Sequence, residues 1–270
     1  MDLQLGGKRA LVTGASAGLG SAIARTLAAE GCTVVVHGRN EERARKVADE
    51  IVASGGKALI AIGDIATDEG ANAAADTALA ALGGIDILVH NAGGALHNHD
   101  MPTWDKLPVA DYLLSLNMNF IASVRLVNRF APGMVQRGWG RIINISSTAA
   151  RQALGVLHEY GPAKAALENW GINLSKNLSP HGVTVNTVEP GMYLTGASVE
   201  FLQTLGKQQG WPDDLAEIER RYATETFPQP VPRLGKPEEM GAVVTFLASP
   251  LAAYVTGATW RADGGNSMGV

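Results

Sequence analysis

Cysteine occurs once in the 270 residues, at Cys32. No disulfide can form within the chain, and a reducing compartment, the cytoplasm, is the expected setting. Excess charge of one sign is also missing. The formal net charge is -4 with Lys and Arg scattered, which leaves no basic field for nucleic acid or anionic lipid. No apolar run approaches the ~18 uncharged residues of a membrane span, and Met1 to Lys8 lacks a basic segment followed by an apolar stretch, so neither membrane insertion nor export is expected. Internal repeats, low-complexity tracts and linker composition are likewise missing, and one domain over residues 1–270 is expected. What is present is 46% hydrophobic residues and 32 glycines, enough for a large core punctuated by turns.

The chain alternates short apolar runs with helical patterns. Arg9 to Thr13 reads as a strand, followed by Gly14 Ala15 Ser16 Ala17 Gly18 Leu19 Gly20 and the helical spacing Ile23, Leu27, Ala28. Glycines there let backbone approach a pyrophosphate, and the helix start offers free N–H groups and partial positive charge. Thr33 to Val36 is a second strand leading to His37 Gly38 Arg39 Asn40. NAD-binding folds of this kind use a carboxylate at that point for the ribose 2′-OH. Gly38 stands in its place and Arg39 follows, so NADP is favoured over NAD, the guanidinium pairing with the 2′-phosphate; the plainer alternative is a solvated Arg39. Asp64, after a third strand over Lys57 to Ile62, is placed to meet the adenine amino group. Ile85 to Val89 is a fourth strand and runs into His90 Asn91 Ala92 Gly93. Repeated strand and helix argue a parallel sheet covered on both faces, with ligands beyond the carboxyl ends of the strands, where Asn91 and Gly93 lie.

Asp111 to Arg137 reads as one long helix containing Asn117, and Gly140 to Ser147 as a fifth strand that delivers Ser147 to hydrogen-bond a substrate carbonyl. His97 Asn98 His99 Asp100 lacks further ligands at zinc spacing and reads as a solvated loop; no metal is expected. Tyr160 and Lys164 lie four apart on a helix whose start is marked by Pro162, tolerated in a first turn. A free phenol titrates near ~10, and lowering it by about three units takes roughly 4 kcal/mol, which a neighbouring ammonium can supply. Val183 to Val188 is a sixth strand, Pro190 Gly191 opens a loop, and Met192 to Val231 reads as an irregular substrate lid. Pro237 to Ser249 is a last helix and Ala258 to Ala262 a last strand.

Taken in order from Thr13 to Gly265, the glycine loop, His90 Asn91 Ala92 Gly93, Asn117, Ser147, Tyr160 with Lys164, and Pro190 Gly191 resemble the motifs of the short-chain dehydrogenase/reductase family, in its short single-domain branch. The resemblance implies an α/β fold, a doubly wound parallel seven-stranded Rossmann sheet in order 3-2-1-4-5-6-7 with helices on both faces. It implies a catalytic set of Asn117, Ser147, Tyr160 and Lys164: the phenol exchanges the proton, Ser147 holds the substrate oxygen, Lys164 lowers the phenol and binds the nicotinamide ribose, and Asn117 holds a connecting water. Cofactor contacts are implied at Gly14, Ser16, Gly18, Leu19 and Gly20, then Arg39, Asp64 and Ile65. Asn91, Ala92 and Gly93 follow, with Tyr160, Lys164, Pro190, Gly191 and Thr195.

Two positions depart from the family pattern: His90 for the first Asn of its motif, and Phe120 three residues after Asn117 where Gly is common. The activity implied is NADP(H)-dependent carbonyl reduction or secondary alcohol oxidation on a small molecule, by a homo-oligomer. The long aromatic lid suggests a bulky apolar substrate. A 3-oxoacyl-[acyl-carrier-protein] reductase shares the motifs and would use Arg129 and Arg137 to receive an acidic carrier. A catalytically silent NADP sensor or scaffold is disfavoured by the intact catalytic set.

Overall fold

The computed structural model describes residues 2–97, 102–152 and 155–267. Seven parallel strands, β1 (Arg9–Val12), β2 (Thr33–Gly38), β3 (Lys57–Ile62), β4 (Ile87–His90), β5 (Gly140–Ile145), β6 (Val183–Pro190) and β7 (Thr259–Ala262), form one sheet in the order β3-β2-β1-β4-β5-β6-β7. That is the order expected from the sequence.

Alternation along each strand decides which side chain meets which layer. Ala10 and Val12 face one core with Val34 and Val36, while Leu11 and Val35 face the other. The first layer is closed by α1 (Gly18–Ala29), α2 (Glu41–Ala53) and α9 (Pro237–Ala248) through Ile23, Leu27, Val47, Ile51, Val244 and Leu247. The second is closed by α3 (Asp68–Leu82) and α5 (Ala122–Arg137), where Ala71, Ala74 and Ala78 let α3 approach Leu126, Phe130 and Met134 closely. Each fully buried Leu or Ile removed from water contributes about 1.5–3 kcal/mol, so this double core holds the strand ends in fixed positions.

Two expectations are corrected. The helix expected over 111–137 is α4 (Val109–Leu116), a π turn (Asn117–Ile121) and then α5; the extra residue of a π turn rotates everything after it. The segment expected to be irregular, 192–231, contains α7 (Gly196–Gln208) and α8 (Leu215–Arg221), followed by a second π turn (Tyr222–Thr226). Between β5 and β6 runs α6 (Tyr160–Leu178). Among the described residues no helix is long and apolar enough to cross a membrane and no group of three or more His, Cys, Asp or Glu is placed to hold a metal. Asn98, His99 and Asp100 lie outside the described residues; His97 Nε2 is 2.8 Å from Asp111 Oδ2.

Candidate active site

The glycine loop is built by close approach. Gly14 has φ +64°, and a Cβ there would lie 2.9 Å from Ala92 Cα; at Gly20 it would lie 2.4 Å from the Gly14 oxygen. Only glycine fits both places. Asn91 fastens the loop from β4, its Nδ2 donating to the Thr13 oxygen at 3.0 Å and the Gly14 oxygen at 3.3 Å, and the Thr13 hydroxyl accepts from the N–H groups of Asn91 and Ala92 at 3.0 Å each. At the start of α1, Ala17 offers no side-chain cap and no acid occupies the first turn. Those free N–H groups suit an anionic diphosphate.

A cleft of about 410 Å³ opens beside this loop, lined by Gly14, Ser16, Gly38, Arg39, Asp64 and Ile65 with Asn91, Ala92 and Gly93. Eight of the residues expected to contact cofactor, all of these but Gly38, therefore share one cavity. Gly18 faces Thr195, whose methyl is 3.7 Å from where a Cβ would stand, and Gly191 is closed against Asp263 at the end of β6. Sequence reasoning missed His37, Ala66, Leu114 and Met118, which also line the cleft. His37 is buried, its Nδ1 accepting from the Gly14 N–H at 3.3 Å and its Nε2 3.0 Å from the Gly63 oxygen. Its only sequence signal was a polar residue at the end of an otherwise apolar strand.

Beyond the carboxyl end of β5, Ser147 caps a short 3₁₀ turn, and Tyr160 and Lys164 project from the first two turns of α6. Lys164 is buried, with Nζ donating to the Ile145 oxygen at 2.8 Å and lying 5.7 Å from the Tyr160 ring centroid. The expected lowering of the phenol is corrected. Burial pushes Tyr160 up to about 12, partly opposed by a hydrogen bond from Ser147. Burial also pushes Lys164 down to about 8, opposed by the charge of Glu168. Desolvation penalises the charged form of each group, so near pH 7 the phenol keeps its proton and most of the lysine remains charged.

Asn117 is not brought to this group. Its Nδ2 donates to the Ala66 oxygen at 2.7 Å and its Oδ1 accepts from Arg125 at 2.8 Å. The residue that reaches the site is Asn119, buried in the same π turn. Its Oδ1 accepts from the Gly94 N–H at 2.9 Å, and its Nδ2 donates to the oxygens of Gly94 at 3.1 Å and Ser115 at 3.0 Å. A Cβ on Gly93 would stand 2.4 Å from Asn119 Oδ1 and 3.5 Å from Lys164 Nζ, so both side chains flank that glycine. Phe120 packs edge-on against Trp170. His90 is buried with Nδ1 2.9 Å from Asn144 Oδ1, and burial pushes it down to about 4, in keeping with a neutral role at the strand end.

A glycine loop beside a cleft of about 410 Å³, with a lysine next to the cleft-lining Gly93 and a phenol and a hydroxyl beside that lysine, defines an oxidoreductase site on a Rossmann sheet. The family model for short chain dehydrogenase matches residues 8–205. The chain is 35% identical to the 3-oxoacyl-[acyl-carrier-protein] reductase of Aquifex aeolicus over 270 residues, 98% of this chain and 99% of that one. L-sorbose reductase from Gluconobacter frateurii, solved with NADPH and L-sorbose, superposes with TM-score 0.93 at 32% identity over 100% of both chains. A 7 alpha-hydroxysteroid dehydrogenase solved with NADH and 7-oxo glycochenodeoxycholic acid superposes with TM-score 0.84 at 33% identity, covering 99% and 97%. The chain belongs to the short-chain dehydrogenase/reductase family and is a dehydrogenase/reductase enzyme.

Proposed function

We propose that this enzyme is an NADP(H)-dependent carbonyl reductase and secondary alcohol dehydrogenase. The observation that carries the reading is the convergence of Ser147, Tyr160 and Lys164, with Asn119, next to Gly93, which lines the cleft beside the glycine loop. The nicotinamide, when bound, supplies or accepts hydride. In reduction, Ser147 and the protonated Tyr160 donate hydrogen bonds to the carbonyl oxygen, and Tyr160 gives its proton to the forming alkoxide. Lys164 stabilises the phenolate left behind, and Asn119, rather than Asn117, holds the polar path beside it. Oxidation reverses these steps.

NADP is supported by two adjacent residues. A Cβ on Gly38 would lie 3.0 Å from the Ser16 side chain, so an acid at that position meets resistance, and the next residue is an exposed Arg39 at the cleft. Similar proteins have been solved with NADPH and with NADH, so family membership alone does not choose between the two. The fit of the glycine loop and the open helix start to a diphosphate supports either nicotinamide dinucleotide.

The lid aromatics do not support a bulky apolar substrate. Phe201, Tyr222 and Phe227 pack on one another, with centroids 6.1 and 6.2 Å apart, and Trp211 joins the same small core with Leu202 and Ile218. The acyl-carrier reading has a relative in its favour, yet the cations it relied on are engaged: Arg129 with Asp76 and Asn72, and Arg137 with the Ile85 oxygen at 2.6 Å and Asp86 at 3.3 Å. Compact polar ketones are therefore the first substrates to test, with sugar ketones among them given the sorbose reductase likeness.

The test is a panel of aryl ketones, sugar ketones and an acetoacetyl thioester with NADPH or NADH, followed at 340 nm. Tyr160→Phe is expected to lose at least ~10²-fold in turnover while NADPH binding, read by its fluorescence, stays within a few-fold. Turnover retained above about a tenth would overturn the assignment, and binding without turnover on any carbonyl would revive the silent sensor.

A further inference from the structure

Behind the catalytic groups lies a second set of charges that no step above uses. Glu168, one helical turn after Lys164, accepts a hydrogen bond from the Ser146 hydroxyl at 2.6 Å, and Ser146 immediately precedes Ser147. Glu189, immediately before Pro190 Gly191, is fully buried. Arg151, from the loop between β5 and α6, bridges the two: its Nε donates to Glu168 Oε2 at 3.1 Å and lies 3.1 Å from Glu189 Oε2. The second Glu189 oxygen accepts from Ser267 at 3.2 Å, while Oε2 has no hydrogen-bond partner among the described residues. Thus each member of the cluster sits beside a member of the site.

We propose that Glu168 is a positioning residue that keeps Lys164 in its ammonium form, and that Ser146 and Arg151 hold its carboxylate in place to do so. The inference rests on the proposed catalytic role of Lys164. Held there, the negative charge of Glu168 is available to its neighbour on the helix.

The surroundings fix the signs. Lys164 is faced by Glu168 on its own helix, by the Tyr160 ring, by the Ile145 carbonyl of β5 and by the imidazole of His90 on β4. Among these only Glu168 raises the lysine, and burial alone pulls it down. Glu168 is faced by Ser146, Arg151 and Glu189; Glu189 is faced in addition by Arg261 of β7 and by Ser267. Burial and the charge of Glu168 push Glu189 up, and Arg151 opposes them. Loss of Arg151 therefore removes one of the two hydrogen bonds that hold the Glu168 carboxylate on the helix face it shares with Lys164.

The readout is the alkaline limb of kcat for ketone reduction, measured with the full-length enzyme at saturating NADPH on the best substrate of the panel. Activity that needs the ammonium falls as pH rises through its pKa. Glu168→Gln is expected to move that limb down by about one pH unit, and Glu168→Asp to restore most of the shift. Arg151→Met is expected to move it in the same direction and Arg151→Lys to leave it in place. A limb in Glu168→Gln within about 0.2 units of wild type overturns the inference, as does an equal shift in Gln and Asp variants. Should Glu168→Gln fail to fold, the Arg151 pair decides alone: identical limbs in Met and Lys variants overturn it. Lys164→Met and Tyr160→Phe separate the two readings. Activity in those variants sinks the catalytic assignment itself, whereas inactive variants beside an unmoved Glu168→Gln limb sink only the cluster.

Discussion

His37 is a single residue whose tautomer is dictated by its neighbours. Its Nδ1 accepts from the Gly14 N–H, so the proton sits on Nε2, which donates to the Gly63 oxygen. Burial pushes its pKa below the usual 6.5. A His that folds neutral stabilises most above ~6.5 and loses that contribution as pH falls toward its lowered folded value. The bond it would lose is the one that holds the glycine loop. His37→Leu is expected to weaken NADPH binding by about tenfold, the worth of roughly one hydrogen bond, with His37→Gln recovering part of the loss; a titration by NADPH fluorescence decides. Asn117 and Asn119 make a second residue-scale test. Asn119→Ala is expected to lower kcat by about tenfold or more, and Asn117→Ala to leave kcat within about twofold while lowering Tm. Equal effects on kcat would restore Asn117. Both asparagines are plain in the sequence, but two residues apart on a helix they point to nearly opposite sides, and the π turn that sets the phase leaves no mark in apolar spacing.

At the scale of elements, β1 and β4 are pinned at their amino ends, the edge of the sheet opposite the site. Asp86 receives Arg9 Nε at 2.8 Å and the Arg9 N–H at 3.1 Å, and Arg137 approaches to 3.3 Å. Although burial opposes ionisation, the Arg9 bonds hold the carboxyl below its ordinary 3.8. A depressed carboxylate contributes stability above ~3.9 that is lost as pH falls toward the folded value. Asp86→Asn is expected to lower the urea midpoint at pH 7 and to narrow its gap to wild type as pH approaches 3; a gap independent of pH would refute the ion pair's role. The strands were legible because alternating or continuous β-branched runs admit few readings. The lid helices were not, since Gly196, Gly206, Gly210 and the prolines lower helix propensity. Their caps were nevertheless written in the sequence: Thr195 accepts from the Ser198 N–H and Asp214 from the Glu217 N–H. The same packing turned Phe201, Trp211 and Tyr222 inward, which composition alone cannot reveal.

For the molecule as a whole, the sheet order was legible in the motifs because parallel crossovers leave few alternatives, whereas the surface carries what one chain cannot bury. Val109 and Leu113 on α4 are 75% and 63% exposed, and Ile172 on α6, against which α4 packs, is 38% exposed. Large apolar side chains exposed on neighbouring helices favour burial against another surface. Since α4 leads into the π turn of Asn119 and α6 carries Tyr160 and Lys164, a second copy of the chain on this face would brace both catalytic elements. Sedimentation at micromolar concentration is expected to give a homo-oligomer, and the double variant Val109→Glu with Leu113→Glu a smaller species with lower kcat. A wild type that sediments as a monomer throughout that range would remove the oligomer, and a smaller species with full activity would show that the active site stands without it.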